Sequence, residues 1–212
     1  MKKSEIAILY KPNLNKPIFV EGLSSFEGVG STVTRMLIEH SKAKKFAEFY
    51  SPYFPDYATA SDDGLCYLPR YEFYTNQDYQ PNLIILSGAV RPLIEDTVAH
   101  YELFHSIFEF AKEMGCHRFI TFGNFASENM EREIYIASTS AMLSKSVTKE
   151  LGGRVFGRGK IDGLVGMLLG FASLEDLQGI CILGASPIDT PLETMSKPVL
   201  EYLLKVLLFE EK

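Results

Sequence analysis

The chain has no run of basic residues: 21 Lys and Arg stand against 27 Asp and Glu, for a formal net charge of −6. Nucleic acids and anionic membrane surfaces are held through clustered positive charge, so neither is an expected partner. No window approaches a full span of uncharged apolar residues, so no transmembrane helix is expected. The first residues, Met1-Lys2-Lys3-Ser4-Glu5-Ile6, carry charge where an export signal needs an apolar stretch. Cysteines are few and odd in number: Cys66, Cys116 and Cys181. Reduced, buried thiols in a cytoplasmic protein fit that pattern better than a disulfide framework.

Catalytic signatures are missing too. His40, His100, His105 and His117 form no H-x-x-x-H pair, and no metal site is expected. No G-x-S-x-G elbow occurs among the serines. Glu128, Glu131 and Glu133 read either as a source of acid groups or as a solvated charged turn. No catalytic residue and no cofactor is assigned.

What is there is a full complement of core. The 212 residues are 46% hydrophobic and 23% charged, which fits one α/β domain over residues 1–212. Short strands are expected at Ile6–Tyr10, Pro17–Gly22 and Phe46–Tyr50. The spacing of Val29, Val33, Met36, Leu37 and His40 predicts a helix from Gly28 to Ser41. Cys66–Leu68 and Tyr71–Tyr74 flank Pro69-Arg70 and read as an aromatic hairpin. Asn82–Gly88 and Arg118–Gly123 are mostly apolar and are expected as buried strands. A helix is predicted from Leu93 to Met114, stopped by Gly115. Ile134–Ala137 is strand-like, Ser140–Leu151 is helical and ends at Gly152-Gly153, and Leu192–Leu208 is the last helix. Alternation of strand and helix predicts a three-layer αβα sandwich with a mainly parallel sheet, interrupted by the antiparallel hairpin.

The chain is organised around Asp162–Gly170 and Gly179–Gly184. This reads as a short apolar helix, a turn and a buried strand. Asp162 is the expected N-cap, its carboxylate accepting from the first-turn amides. Gly163, Gly166 and Gly170 leave one helix side nearly bare. Each glycine costs a helix about 1 kcal/mol relative to alanine, so they point to close backbone approach, to a strand or to a partner.

Several glycines also suggest a ligand crevice. Ser87-Gly88, Phe122-Gly123 and Leu183-Gly184 close apolar runs, and open parallel sheets bind ligands beyond the carboxyl ends of their strands. The other reading is that each glycine only lets the chain turn. Gly22 and Gly30 bracket a strand-to-helix loop that can bind phosphate or simply turn tightly; it has neither the P-loop lysine nor G-x-G-x-x-G spacing. Arg91, after a strand end, can hold an anion or lie on the surface.

In these motifs the chain resembles the PAC2 family of proteasome-assembly-chaperone-like proteins. Lys160–Gly170 followed by Gly179–Gly184 matches the family's glycine-rich helix and G-I-x-x-L-x-G strand. Pro17–Gly30 matches its early strand, glycine loop and helix. Pro81–Gly88 matches its P-D-L-I-x-L-x-G strand, with Asn82 in place of the acid. The resemblance implies a sandwich similar to nucleoside phosphorylases, homo-oligomers, and proteasome α subunits as partners. It implies no common enzymatic activity. The expected function is thus a non-enzymatic interaction protein; the alternative is a small-molecule-binding protein or hydrolase using the crevice. Ser24-Ser25-Phe26-Glu27 replace the usual loop glycines, which weakens any ligand site there.

Family members that dock by their tails end in a hydrophobic residue, tyrosine and one further residue. Here Glu210 and Glu211 hold the first two of these positions, and a carboxylate is costly to desolvate in a pocket shaped for an aromatic ring. Deleting Glu210 to Lys212 is therefore expected to change any binding to proteasome α subunits by no more than about a factor of two, ~0.4 kcal/mol. A tenfold loss in a titration would show that the tail engages the partner.

Overall fold

The computed structural model describes residues 1–23, 28–88, 90, 97–127, 133–157, 159–187 and 191–210. The chain runs β1 (Glu5–Ile8), β2 (Ile18–Glu21), α1 (Val29–Ser41), β3 (Lys44–Tyr50), β4 (Thr59–Ala60), β5 (Cys66–Tyr67), β6 (Tyr71–Thr75) and β7 (Leu83–Ser87). It continues α2 (Thr97–Glu113), β8 (Arg118–Ser127), β9 (Glu133–Ser138), α3 (Ala141–Leu151), β10 (Arg154–Val155), α4 (Gly163–Leu174), β11 (Gln178–Pro187), a 3-10 turn (Leu192–Met195) and α5 (Ser196–Leu207). No helix among the described residues is long and apolar enough to cross a membrane.

Among the described residues, nine strands form one mixed sheet in the order β1-β3-β6-β7-β2-β8-β11-β9-β10. The four in the middle, β7, β2, β8 and β11, are mutually parallel. Their side chains alternate between two buried faces. Ile18 and Val20 of β2, with Leu83 and Ile85 of β7, face the layer that holds α1, α3 and α5. Phe19, Ile84, Leu86 and Phe119 face α2 and α4. Helices on both sides explain why these strands read as mostly apolar.

Antiparallel pairs flank this parallel centre. β6 pairs with β3 and with β7, not with β5. The hairpin expected around Pro69-Arg70 is thus corrected: Cys66–Tyr67 pairs with Thr59–Ala60 in a separate two-stranded sheet. Tyr71–Thr75 is instead an interior strand, and its burial alternates along the chain. One face of β3 and β6 carries ions rather than a helix. Lys45 Nζ lies 2.5 Å from a Glu48 oxygen and 3.1 Å from one of Glu72. Arg70 reaches Glu48 at 3.1 Å and Glu72 at 2.9 Å.

The helix ends show which local signals hold. Ser140 caps α3, its hydroxyl accepting from the Leu143 amide at 3.3 Å, and Gly152 closes that helix at φ +85°. Tyr202 lies within α5, and its hydroxyl donates to the Gly152 carbonyl at 2.7 Å. Arg118 donates to the carbonyls of Val206 and Phe209 at 3.0 and 2.9 Å, at the end of α5. Asp162 stands at the N-cap of α4, but its carboxylate makes no capping bond. The expected side-chain cap is therefore absent. Residues 93–96 of the longer helix expected before Met114 lie outside the described residues.

The three glycines of α4 have different roles. Gly163 sits at φ +70°, where a side chain is strained. A Cβ on Gly166 would fall 1.8 Å from the Ile161 carbonyl oxygen, so the close approach is to the chain's own backbone. Gly170 has open space around it. Gly166→Ala is expected to lose about 2 kcal/mol or more from overpacking, a fall of roughly 4–8 °C in melting temperature for a domain of this size. Gly170→Ala is expected to gain up to about 1 kcal/mol of helix propensity. Equal melting temperatures for the two variants would refute this difference.

Candidate functional site

The carboxyl edge of the parallel strands is not level. β7 ends at Ser87 and β2 at Glu21, whereas β8 and β11 stay paired to Ser127 and Pro187. Gly123 and Gly184 thus lie inside strands, not at their ends. This corrects the reading of both as strand-closing residues. Gly22 and Gly88 do follow strand ends, but aromatic rings occupy the space beside them. A Cβ on Gly22 would meet the Phe122 ring at 2.2 Å, and one on Gly88 the Tyr71 ring at 2.3 Å. A Cβ on Gly184 would approach Val199 at 3.0 Å. Gly30 is buried in the first turn of α1. Arg91, Glu128, Glu131 and the loop 24–27 lie outside the described residues.

Of these glycines, Gly123 lines an open cavity. The cavity holds about 380 Å³ and lies between the projecting β8–β11 ribbon and the start of α4. Leu23, Asn124, Phe125, Phe156, Lys160, Asp162, Gly163 and Leu183 are among its walls. The structure therefore brings together Gly123 and Gly163, which the sequence placed in separate groups. Phe125, Tyr135 and Phe156 pack edge to face near its rim. Its polar side chains are the half-buried Asn124 amide and the exposed Lys160 ammonium and Asp162 carboxylate.

Beneath Leu23 lies a residue that sequence reading passed over. Glu21 is fully buried, on the α4 side of the sheet beside Thr121 and Leu86. One carboxylate oxygen accepts from the Leu23 amide. The other has no hydrogen-bond partner among the described residues. Burial pushes the Glu21 carboxyl up to about 8, against a smaller opposing effect of the Leu23 amide. The nearby thiol of Cys181 is pushed up to about 12, chiefly by burial, and Cys116 is also raised by burial. Neither thiol is an activated nucleophile. The sequence signal for Glu21 was an acid closing the apolar run Ile18-Phe19-Val20.

The histidines are spread out. His40 stands near the Tyr79 ring, His100 stacks on Phe104, and His105 meets Phe171 edge-on. Among the described residues no three His, Cys, Asp or Glu side chains are grouped to hold a metal ion.

The model of the PAC2 family matches residues 19–210, from the second residue of β2 to beyond α5. The chain belongs to the PAC2 family. An uncharacterised protein of Methanocaldococcus jannaschii is 29% identical over 198 residues, 91% of this chain and 74% of that protein. The crystal structure of Pyrococcus furiosus PbaB, an archaeal proteasome activator, superposes with a TM-score of 0.86 at 30% identity. It covers 100% of this chain and 92% of PbaB. PbaA of the same organism, an archaeal homolog of proteasome-assembly chaperone, gives a TM-score of 0.78 at 21% identity, covering 100% and 84% of the two chains. PbaA thus supports the PAC2 fold, and PbaB is similar in sequence as well.

Glu21 makes stability depend on pH. Unfolded, its carboxyl loses its proton near 4.5; folded, it keeps it to about 8. Between these values the folded state binds the extra proton, so this residue's contribution to stability falls as pH rises and levels off above about 8. The total is on the order of 5 kcal/mol. Glu21→Gln removes the titration and keeps an oxygen for the Leu23 amide. The variant should match the parent near pH 4.5 and exceed it increasingly towards pH 8 in thermal melts. A difference that does not change with pH would show that Glu21 is not titrating in the core.

Proposed function

We propose that this PAC2 protein is a non-enzymatic, homo-oligomeric partner of proteasome α subunits in the cytoplasm. The observation that carries the reading is the similarity to PbaB, a proteasome activator, along the whole of this chain. The buried chemistry supports it. Glu21 is sealed from solvent and the two buried thiols are held protonated, so these groups stabilise or tune a fold rather than exchange protons with a substrate.

Full-length tagged protein is expected to retain proteasome α subunits from a native lysate of its source. Light scattering across a dilution series is expected to show more than one copy per particle. Retention of no α subunit would overturn the partner, and a single-copy particle at every concentration would overturn the oligomer. The first outcome would favour a second reading, a small-molecule-binding protein or hydrolase. Its supporting observation is the cavity of about 380 Å³ beside Gly123 and Gly163.

A further inference from the structure

Residues 51–70 leave the sheet after β3 and return at β6, and their own subunit covers little of them. Phe54 and Pro69 are buried and fix the two ends. Between them residues 56–68 are exposed, apart from half-buried Ser61. Leu65 and Leu68 are 66% and 53% exposed, and Tyr57 is 51%. Two residue pairs hold β4 to β5, and a ribbon that small is marginal in water without a surface to pack on. The charges of residues 56–68 have one sign, Asp56, Asp62 and Asp63, while Arg70 at the base stacks on Tyr67 and pairs with Glu48 and Glu72.

A complementary surface lies at the edge of the main sheet. β1 is the outermost strand there, and its outer edge has no strand partner among the described residues. Ile8 and Leu9 are 55% and 54% exposed, and Tyr10 follows them. Lys11, next to Tyr10, and Lys42 and Lys44, where the chain enters β3, are exposed at that end of β1, and Lys2 and Lys3 are exposed at its other end. Glu5 is the one acid in residues 1–16, and Asp78 lies next to Gln77, which bonds the Asn13 amide. In a chain of net charge −6, this edge is a positive exception. An open apolar edge strand is a template for another chain unless something covers it. Within one subunit the arm leaves from the end of β3 that pairs with Glu5, away from Leu9 and Tyr10, and both apolar surfaces stay bare.

We propose that the acidic, apolar arm of residues 56–68 in one copy of this chain packs on the basic, apolar β1 edge of a second copy. The inference rests on the homo-oligomer part of the reading above and names its surface. A second copy is the occupant because both halves of the matching pair, in charge and in apolar exposure, are on this chain. Opposite charges would set the register and the apolar residues would exclude water.

A charge exchange in the full-length protein tests it, read by light scattering at tens of micromolar and moderate salt. Asp56→Lys with Asp62→Lys is expected to raise the dissociation constant for assembly about tenfold or more. Lys11→Glu with Lys44→Glu is expected to do the same. All four changes together are expected to return assembly to within about threefold of the parent, because the attraction is restored with its signs exchanged. These side chains are exposed, and circular dichroism checks that each variant is folded; for a variant that is not, Leu65→Ser with Leu68→Ser in the arm gives the same weakening. Assembly unchanged by either pair of reversals would overturn the inference and leave the oligomer reading standing. Weakening without restoration would also overturn it. A parent protein that is a single copy would overturn both.

Discussion

The structure depends on four parallel strands whose two faces are both closed to water. Each central strand must satisfy its backbone from neighbours on either side, since no solvent reaches it. β7, β2, β8 and β11 do so in an unbroken parallel ladder. Covering them needs one helix layer with α1, α3 and α5 and another with α2 and α4. The same constraint fixes Arg118. It opens β8 in a buried position, and its guanidinium is accommodated by the last-turn carbonyls of α5. A cation at a helix C-terminus is favourable in itself, so one contact both satisfies a buried charge and ties the final helix to the sheet. Glu21 is the exception at the other end of these strands. Its second oxygen has no partner among the described residues, and the cost is contained by keeping the proton.

The constraint relaxes towards β1. On β3 and β6 one face still packs against phenylalanines near α2, while the other carries Lys45, Glu48, Arg70 and Glu72 in a linked set of ion pairs. These side chains are partly covered and mutually neutral, so they serve as a polar facing where no helix lies. Alternation returns in the sequence for the same reason: Tyr71, Phe73 and Thr75 are buried, and Glu72 and Tyr74 are not. One-sided strands are antiparallel here and two-sided strands are parallel, apart from β9 and β10 at the far edge.

This division explains what could be read from the chain. Ile84–Leu86, Phe119–Phe122 and Ile180–Leu183 had to be buried on both faces, because no polar residue but Thr121 interrupts them. The glycine-bearing α4 and the strand after it were legible for the same reason. The hairpin was not. Pro69-Arg70 is a strong local turn signal between two aromatic stretches, but Tyr71–Thr75 lies between β7, the next strand, and β3, far upstream. No local pattern encodes that choice. Gly123 and Gly184 misled because glycine after an apolar run looks like a strand end. Here β8 and β11 continue past them, and Val199 and Met195 occupy the space beside Gly184. Glu21 was not singled out, because nothing local in Ile18–Gly22 shows that both faces of the strand are closed at its end.

The family match begins inside β2 and takes in every central strand, so belonging to the PAC2 family is a statement about the closed part of the fold. That part has little freedom. Gly22, Gly88 and Gly166 each abut a ring or a carbonyl, so an added methyl group must displace something. The surface is open where the sheet stops being closed: at the projecting β8–β11 ribbon with its cavity, along the bare edge of β1, and on the arm between β3 and β6. Changes at those places leave the core untouched, because Phe54 and Pro69 anchor the arm at its base while its tip makes few contacts with its own subunit. The frame is thus fixed from within, and its freedom to vary lies in the surfaces at its margins.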